Sequence, residues 1–563
     1  MNHHRRARLL LVLLSAVLFL PNLGGTDLWA PDEPNFAEVA REMLLNGHWA
    51  LPHDNSTVFT DKPPLLFWLI AALSSFIGDV SSWTARLPSA LAGLVSVQLT
   101  YEIGRRLMSR AAALAGGAIF CTSYLVFDKA RTAQIDMLLC ALILAALWSF
   151  LHVKEGGGRV WGLLFWIFSA LAVLAKGPVG LILPLGTVLF FLAVRREMGL
   201  MRRLAPLTGP LLFILIVGAW MLAAQAAGSQ EGYSVLEAFR RHALERFAQG
   251  MHHRQPVWYY LQALPRGLLP WSLFIPGAIV AAWSARRETG TGGAAGPVML
   301  LCWFTLVLLF FSLSREKRDL YVLPLYPAAG LMIGLLAERG SVPGARERRW
   351  LLIPAWISSG VAALVGLLAL VMPEGTARHL GGRVLGALLD AWPGVYGPAR
   401  LTLAMLLPAG GAALALLMSR LALPRKTGGV LALIAAGICA AYLCVALALN
   451  PAFNAHKSAR PFCETIARRV AAAPGAEGTV AIYRLYRSAF AFYSGGVKYR
   501  LLEGQDELRT FLSSRRAAFV LAVAEDAGKL KAPPGLALEI VERGRVGHRE
   551  YVLLRSAPFP QGS

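Results

Sequence analysis

Six short polar segments interrupt an otherwise apolar chain, and their residue types could do chemistry. Pro31-Asp32-Glu33-Pro34 sets two carboxylates side by side. Such a pair suits acid/base or cation-binding work, because a like-charged neighbour raises one pKa. The same four residues also suit a helix start, with a carboxylate as the cap and Pro34 in the first turn. In Asp61-Lys62-Pro63-Pro64, Lys62 either snorkels at an interface or binds a phosphate at headgroup level. Asp128-Lys129-Ala130-Arg131-Thr132-Ala133-Gln134-Ile135-Asp136 ends on a carboxylate that is either a second acid or a helix cap. Lys176-Gly177 closes another apolar run. The run His252-His253-Arg254-Gln255-Pro256-Val257-Trp258-Tyr259-Tyr260 passes from a polar patch into aromatics typical of an interfacial belt. Finally, Ser314-Arg315-Glu316-Lys317-Arg318-Asp319-Leu320-Tyr321 packs three basic residues into one turn.

Taken together, these segments supply two or three carboxylates and several cations. That is equipment for a phosphate-linked lipid. Cations stabilise a departing phosphate, and a carboxylate aligns or deprotonates an acceptor.

The elements that must position these residues are membrane helices. Of 563 residues, 56% are hydrophobic and 16% charged, against about 25% charged in soluble chains. Thirteen spans are expected, at about 8–24, 86–104, 111–127, 136–153, 160–175, 178–194, 206–224, 267–285, 296–313, 319–337, 350–372, 398–419 and 429–449. Parity decides whether 63–78 is a further one. If it does not cross, Arg105, Arg106, Arg110, Lys154, Arg159, Arg195, Arg196, Arg202, Arg203, Arg286 and Arg287 all share the side of Arg5 and Arg6, as the positive-inside rule requires. The segment 63–78 is therefore expected at the outer interface, with the N-terminus cytoplasmic and the C-terminus outside. Every polar segment above then falls on the outer side, where the three basic residues of 315–318 run against the charge rule. The net charge of +22 belongs to this topology, so no nucleic-acid partner is expected.

The expected fold is an α-helical polytopic membrane domain over 1–450, with a first outer loop at 25–79 and another at 225–265. A soluble α/β domain follows over 451–563, with strands at Thr479–Tyr483, Ala518–Val523, Ala537–Val541 and Glu550–Leu554. In the first loop Phe36, Val39, Ala40, Met43 and Leu44 line one face of an amphipathic helix, with Glu38, Arg41 and Glu42 opposite. The basic, apolar N-terminal run lacks a small-residue cleavage site and is expected to stay as the first helix. Six cysteines without a CxxC pair argue against a disulfide framework. The helices carry almost no ionisable residue at mid-depth, which disfavours a transporter or a lipid-linked sugar flippase.

Several motifs in order resemble one family. They are Asp32-Glu33-Pro34-Asn35-Phe36-Ala37-Glu38 with Arg41-Glu42-Met43, Phe59-Thr60-Asp61-Lys62-Pro63, Ile135-Asp136-Met137 and Ala175-Lys176-Gly177. They continue with Arg246-Phe247, His253-Arg254-Gln255-Pro256-Val257-Trp258-Tyr259-Tyr260, Leu269-Pro270-Trp271, and Phe310-Phe311-Ser312 running to Lys317 and Tyr321. The chain resembles the GT-C glycosyltransferases, specifically the 4-amino-4-deoxy-L-arabinose (Ara4N) lipid A transferase family, related to protein O-mannosyltransferases. The resemblance implies a bacterial inner-membrane enzyme, active as a monomer at the periplasmic face. It implies transfer of a sugar from undecaprenyl phosphate to lipid A; a hexose or uronic acid, and a core, glycan or protein acceptor, are the alternatives. Asp32 and Asp136 are implied as catalytic acids, with Glu33 beside them. Lys62, Arg254 and Tyr321 are implied to hold the carrier phosphate, with Lys317 and Lys176 as further cations. A divalent cation, zinc or magnesium, would find weak candidate ligands in Asp61 and His253.

Overall fold

The computed structural model describes residues 3–237, 254–288, 295–342, 345–376, 394–420, 427–473, 478–484, 488–514 and 518–558. His3–Phe19 forms α1, Asp32–Asn46 α2, Leu65–Ser75 α3, Ser82–Leu107 α4 and Arg110–Cys121 α5. Tyr124–Ala130 forms α6, Ile135–Lys154 α7, Arg159–Lys176 α8, Val179–Arg195 α9 and Thr208–Gln230 α10. Among the described residues, eight helices are long and apolar enough to cross a membrane. The number is ten if two bent pairs each make one span: α5 with α6, bent by 63°, and Tyr259–Gly267 with Trp271–Arg287, bent by 115°. The other three expected spans coincide with α1, α4 and α9, which are shorter or more polar. Within 63–78 only the 11-residue α3 is helical; at 1.5 Å per residue it reaches about 16 Å, half the hydrocarbon thickness.

Of the eight spans among the described residues, α7 and Asp319–Gly340 are the most buried. Close helix contact comes from small residues. Gly330 and Gly334 of helix Tyr326–Gly340 lie against Ala112 and Gly116 of α5, where an added Cβ at Gly334 would meet the Ala112 carbonyl. Spacing two glycines four apart lets the backbones approach this far. Helices α7 and α8 run antiparallel, so the start of α7 and the end of α8 share one end of the bundle. The opposite end holds Arg106 against Glu155, and Lys154 with Arg195 against Glu197.

The tail folds as a five-stranded sheet of order β4-β3-β5-β7-β6. Its strands are β3 (Thr479–Tyr483), β4 (Lys498–Leu502), β5 (Phe519–Val523), β6 (Leu536–Val546) and β7 (Arg549–Pro558). Strand β3 pairs in parallel with β4 and β5; β7 runs antiparallel to β5 and β6. Four strands match the expected runs. Strand β4 was hidden by its sequence, Lys-Tyr-Arg-Leu-Leu, since an edge strand tolerates charge. A short hairpin, β1 (His53–Asp54) with β2 (Thr57–Val58), also lay unread in the first outer loop.

Helix α2 corrects one expectation. Its apolar face, with Phe36, Val39, Ala40 and Met43, is buried, but so are Glu38 and Glu42 on the opposite face. Glu42 accepts from Asn46 at 2.6 Å and from the Ser56 amide at 2.9 Å, and the tail packs on the neighbouring residues of this loop. Arg41 donates to the Phe492 carbonyl at 2.5 Å, Asn35 to Ser488 at 3.0 Å, and Tyr493 receives the Leu28 amide on its hydroxyl at 2.6 Å. Burial, together with the charges of Asp54, Glu42 and Asp79, outweighs Arg41 and pushes the Glu38 carboxyl up to about 8. A carboxyl that binds its proton more tightly folded than unfolded makes stability fall as pH rises, here from about 4.5 to about 8. Glu38→Gln should therefore unfold at higher temperature than the wild type at pH 9, by roughly 1 kcal/mol or more. The advantage should vanish near pH 4.5 when thermal unfolding is followed across pH.

Candidate active site

Asp32 opens α2 and Asp136 stands in the first turn of α7, yet neither side chain caps its helix. Asp32 Oδ2 accepts hydrogen bonds from Gln134 Nε2 and Arg318 Nη2, both at 2.7 Å. Gln134 immediately precedes α7, so one stretch of chain positions both carboxylates. Asp136 pairs with Lys176 at the end of α8. The Lys176 ammonium also lies 4.4 Å from the centre of the Tyr321 ring, a cation–π contact. Tyr321 in turn donates its hydroxyl to Glu316 at 3.1 Å.

The turn 314–318 is built against the segment that begins at Arg254. Arg254 and Glu316 form an antiparallel bridge, and the Gln255 amide donates to the Arg315 carbonyl at 3.2 Å. Tyr260 fixes the far side by donating to the Arg318 carbonyl at 3.1 Å. The basic residues of this turn are thus held in place by backbone pairing.

Charge settles which groups stay ionised. Burial raises the Asp32 pKa, but the charge and hydrogen bond of Arg318, the bond from Gln134 and the charge of Lys129 together hold it below the usual carboxylate value. Burial likewise opposes the charge on Arg318, and Asp32 more than compensates. Asp32 keeps 23% of its side chain exposed while Asp136 keeps 4%, so Asp32 is the carboxylate that a substrate can touch.

The expected residues separate into groups. Asp32, Asp136, Lys176 and Tyr321 are brought together, and Arg254 joins them through Glu316. Lys62 is half-buried where the first loop enters α3, and Asp61 beside it is exposed. His253 lies outside the described residues. Two expectations are corrected. Lys317 does not present its ammonium to a ligand: it is 3% exposed and donates to the carbonyls of Gln255 and Ser314. Glu33 is fully engaged by Arg86 Nε at 2.7 Å and Nη2 at 2.9 Å, by the Ala133 amide at 2.9 Å and by the Trp29 amide at 3.1 Å. These bonds make it an anchor between Arg86, the Ala133 amide and the Trp29 amide. Sequence reasoning missed Arg318, Gln134 and Arg86. Alternation within the 315–318 turn could have singled out Arg318, since neighbouring side chains in a turn point apart.

Comparison with known proteins places this arrangement. The profile of the dolichyl-phosphate-mannose-protein mannosyltransferase family matches residues 61–222. The fold is similar to that of ArnT from Cupriavidus metallidurans in its crystal structure with undecaprenyl phosphate, at 22% identity, 97% coverage of each chain and a TM-score of 0.75. It is more distantly similar to the oligosaccharyltransferase AglB of Archaeoglobus fulgidus, at 12% identity, 93% and 69% coverage and a TM-score of 0.53. The fold is that of a GT-C glycosyltransferase. An undecaprenyl phosphate-alpha-4-amino-4-deoxy-L-arabinose arabinosyl transferase of Erwinia tasmaniensis is 30% identical over 387 residues, 67% of each chain. A second, from Pseudomonas fluorescens, is 32% identical over 397 residues, 68% of this chain and 65% of its own. The chain belongs to this family of arabinosyl transferases, and the matches span about two thirds of the relatives' length.

The buried Asp136–Lys176 pair yields a stability prediction. Lys176→Met should destabilise the protein by about 3 kcal/mol, because it strands a buried carboxylate. Adding Asp136→Asn should restore most of that loss without restoring activity. Thermal unfolding of the purified single and double variants checks both.

Proposed function

We propose that the chain transfers 4-amino-4-deoxy-L-arabinose from undecaprenyl phosphate to a phosphate of lipid A, by a single inverting displacement. The observation that carries this reading is the ionised Asp32, held by Arg318 and Gln134, beside Asp136, Lys176 and Tyr321 at the bundle end remote from Arg106, Lys154 and Arg195. By the charge rule that remote end is cytoplasmic, which puts the site and the tail in the periplasm of a bacterial inner membrane.

In this mechanism a lipid A phosphate oxygen attacks the anomeric carbon, and the bond from that carbon to the carrier phosphate breaks. The acceptor is already anionic and needs no strong base. Asp32 orients the sugar through its ammonium, which an ionised carboxylate attracts. Lys62, Arg254 and Tyr321 receive the departing phosphate, with Lys176 supplying positive potential behind Tyr321. Asp136 keeps Lys176 in place, and Glu33 fixes the loop that carries Asp32. A hydroxyl acceptor would instead make Asp32 the general base.

The test is lipid A mass spectrometry in a Gram-negative host lacking its own aminoarabinose transferase. The wild type should add a pentosamine, and Asp32→Asn should lose at least about 100-fold of that activity while remaining folded in the membrane. Lys62→Ala should raise KM for the lipid-linked sugar. Unmodified lipid A, with wild-type protein and donor both present, would contradict the proposed donor and acceptor.

A further inference from the structure

The loop after α2 holds a second chemical cluster, away from the carboxylates of the site. His48, His53 and Glu231 each point one ligand atom at a shared space, and those three atoms lie within 4.8 Å of one another. His53 is 3% exposed. Its Nδ1 stands 2.8 Å from the Leu51 carbonyl, which can only accept, so Nδ1 carries a proton. Its Nε2 then faces Glu231 Oε2 at 3.0 Å.

A neutral His53 would turn a lone pair toward a carboxylate at hydrogen-bond distance, which is repulsive. A charged His53 would instead pair with Glu231 as a salt bridge, with the His48 ring centre 3.9 Å away. A cation shared by all three groups satisfies the neutral ring, the carboxylate and His48 together. A ring nitrogen held by a backbone carbonyl while the other points at the shared space is the usual orientation of a metal-bound histidine. Two imidazoles and a carboxylate suit zinc, with a fourth position open to water. Glu231 is 41% exposed, so water reaches that position. Tetrahedral bonds of about 2.0–2.1 Å put ligand atoms about 3.4 Å apart, against a spread here of at most 4.8 Å.

We propose that His48, His53 and Glu231 bind a divalent transition metal of the zinc class, clipping the first outer loop to the end of α10. Both partners of the clip lead to the proposed site. Asp54, next to His53, accepts from Asn35 of α2 at 3.2 Å and from Ser488 of the tail at 3.0 Å. Tyr233, two residues after Glu231, donates to Thr60 at 2.9 Å, two residues before Lys62. Occupancy would stiffen the loops that carry Asp32 and Lys62, and the binding itself holds whatever the transferred sugar proves to be.

The experiment uses the full chain in detergent with a histidine-free affinity tag, stripped by a chelator and titrated with Zn²⁺ and then Co²⁺. The wild type should bind one more equivalent of Zn²⁺ than a His48→Gln/His53→Gln double variant, and only the wild type should show the visible absorption of tetrahedral Co²⁺. Asp61 and His253 are present in both proteins, so the difference isolates this cluster. If the double variant does not fold, Glu231→Gln, at an exposed position, should weaken Zn²⁺ binding at least about tenfold. Equal stoichiometry in wild type and double variant, or unchanged affinity in Glu231→Gln, overturns the proposal.

Discussion

The buried pair of Arg86 and Glu33 is the constraint on which the site end of the molecule depends. Arg86 rises from the start of α4 and is 3% exposed. It donates to both oxygens of Glu33, to the carbonyls of Leu23, Thr26 and Asp27, and to the Thr26 hydroxyl. Glu33 also takes the amide of Ala133. One ion pair therefore joins the bundle, the first outer loop and the turn that opens α7. Removing either partner leaves an uncompensated buried charge, at a cost of about 3–5 kcal/mol. Asp32 is the next residue along, and its place beside Gln134 and Arg318 follows from that anchorage.

Other cations at this end repeat the logic, held by a carboxylate or by backbone carbonyls. Arg318 is matched to Asp32 and Lys176 to Asp136, while Arg131 donates to the carbonyls of Leu18, Phe19 and Pro21 at the end of α1. The tail closes the assembly. Asp27 accepts from Asn454 and Ser458, and Asn55 exchanges hydrogen bonds with the backbone of Tyr499. The tail thus packs on the very loop that carries the carboxylates. A fixed field of alternating charges at the edge of an apolar bundle costs little reorganisation when charge moves during reaction.

Much of this was legible in the sequence, because membrane helices advertise themselves by length and apolarity and the basic loops follow the positive-inside rule. The basic residues of 315–318 stand out as charges on the wrong side of that rule, and Asp32, Asp136 and Lys176 as ionisable residues at the ends of apolar runs. What stayed hidden was direction. Asp32 and Glu33 are adjacent, and so are Lys317 and Arg318; which of each pair faces the site depends on partners 53 and 286 residues away. The docking of α2 against the tail likewise runs through Arg41 and Asn35 to residues some 450 positions downstream, which no local period encodes. The cluster of His48, His53 and Glu231 escaped for the same reason, since Glu231 sits 178 residues from His53.

The central claim is that the Arg86–Glu33 pair sets the position of Asp32. The most direct measurement is turnover of Glu33→Gln and Arg86→Lys in purified protein whose fold is confirmed by a cooperative thermal transition. In both, kcat should fall at least about 100-fold, because the loop loses its register against Gln134 and Arg318 while the fold persists. Wild-type kcat in either folded variant would contradict the claim.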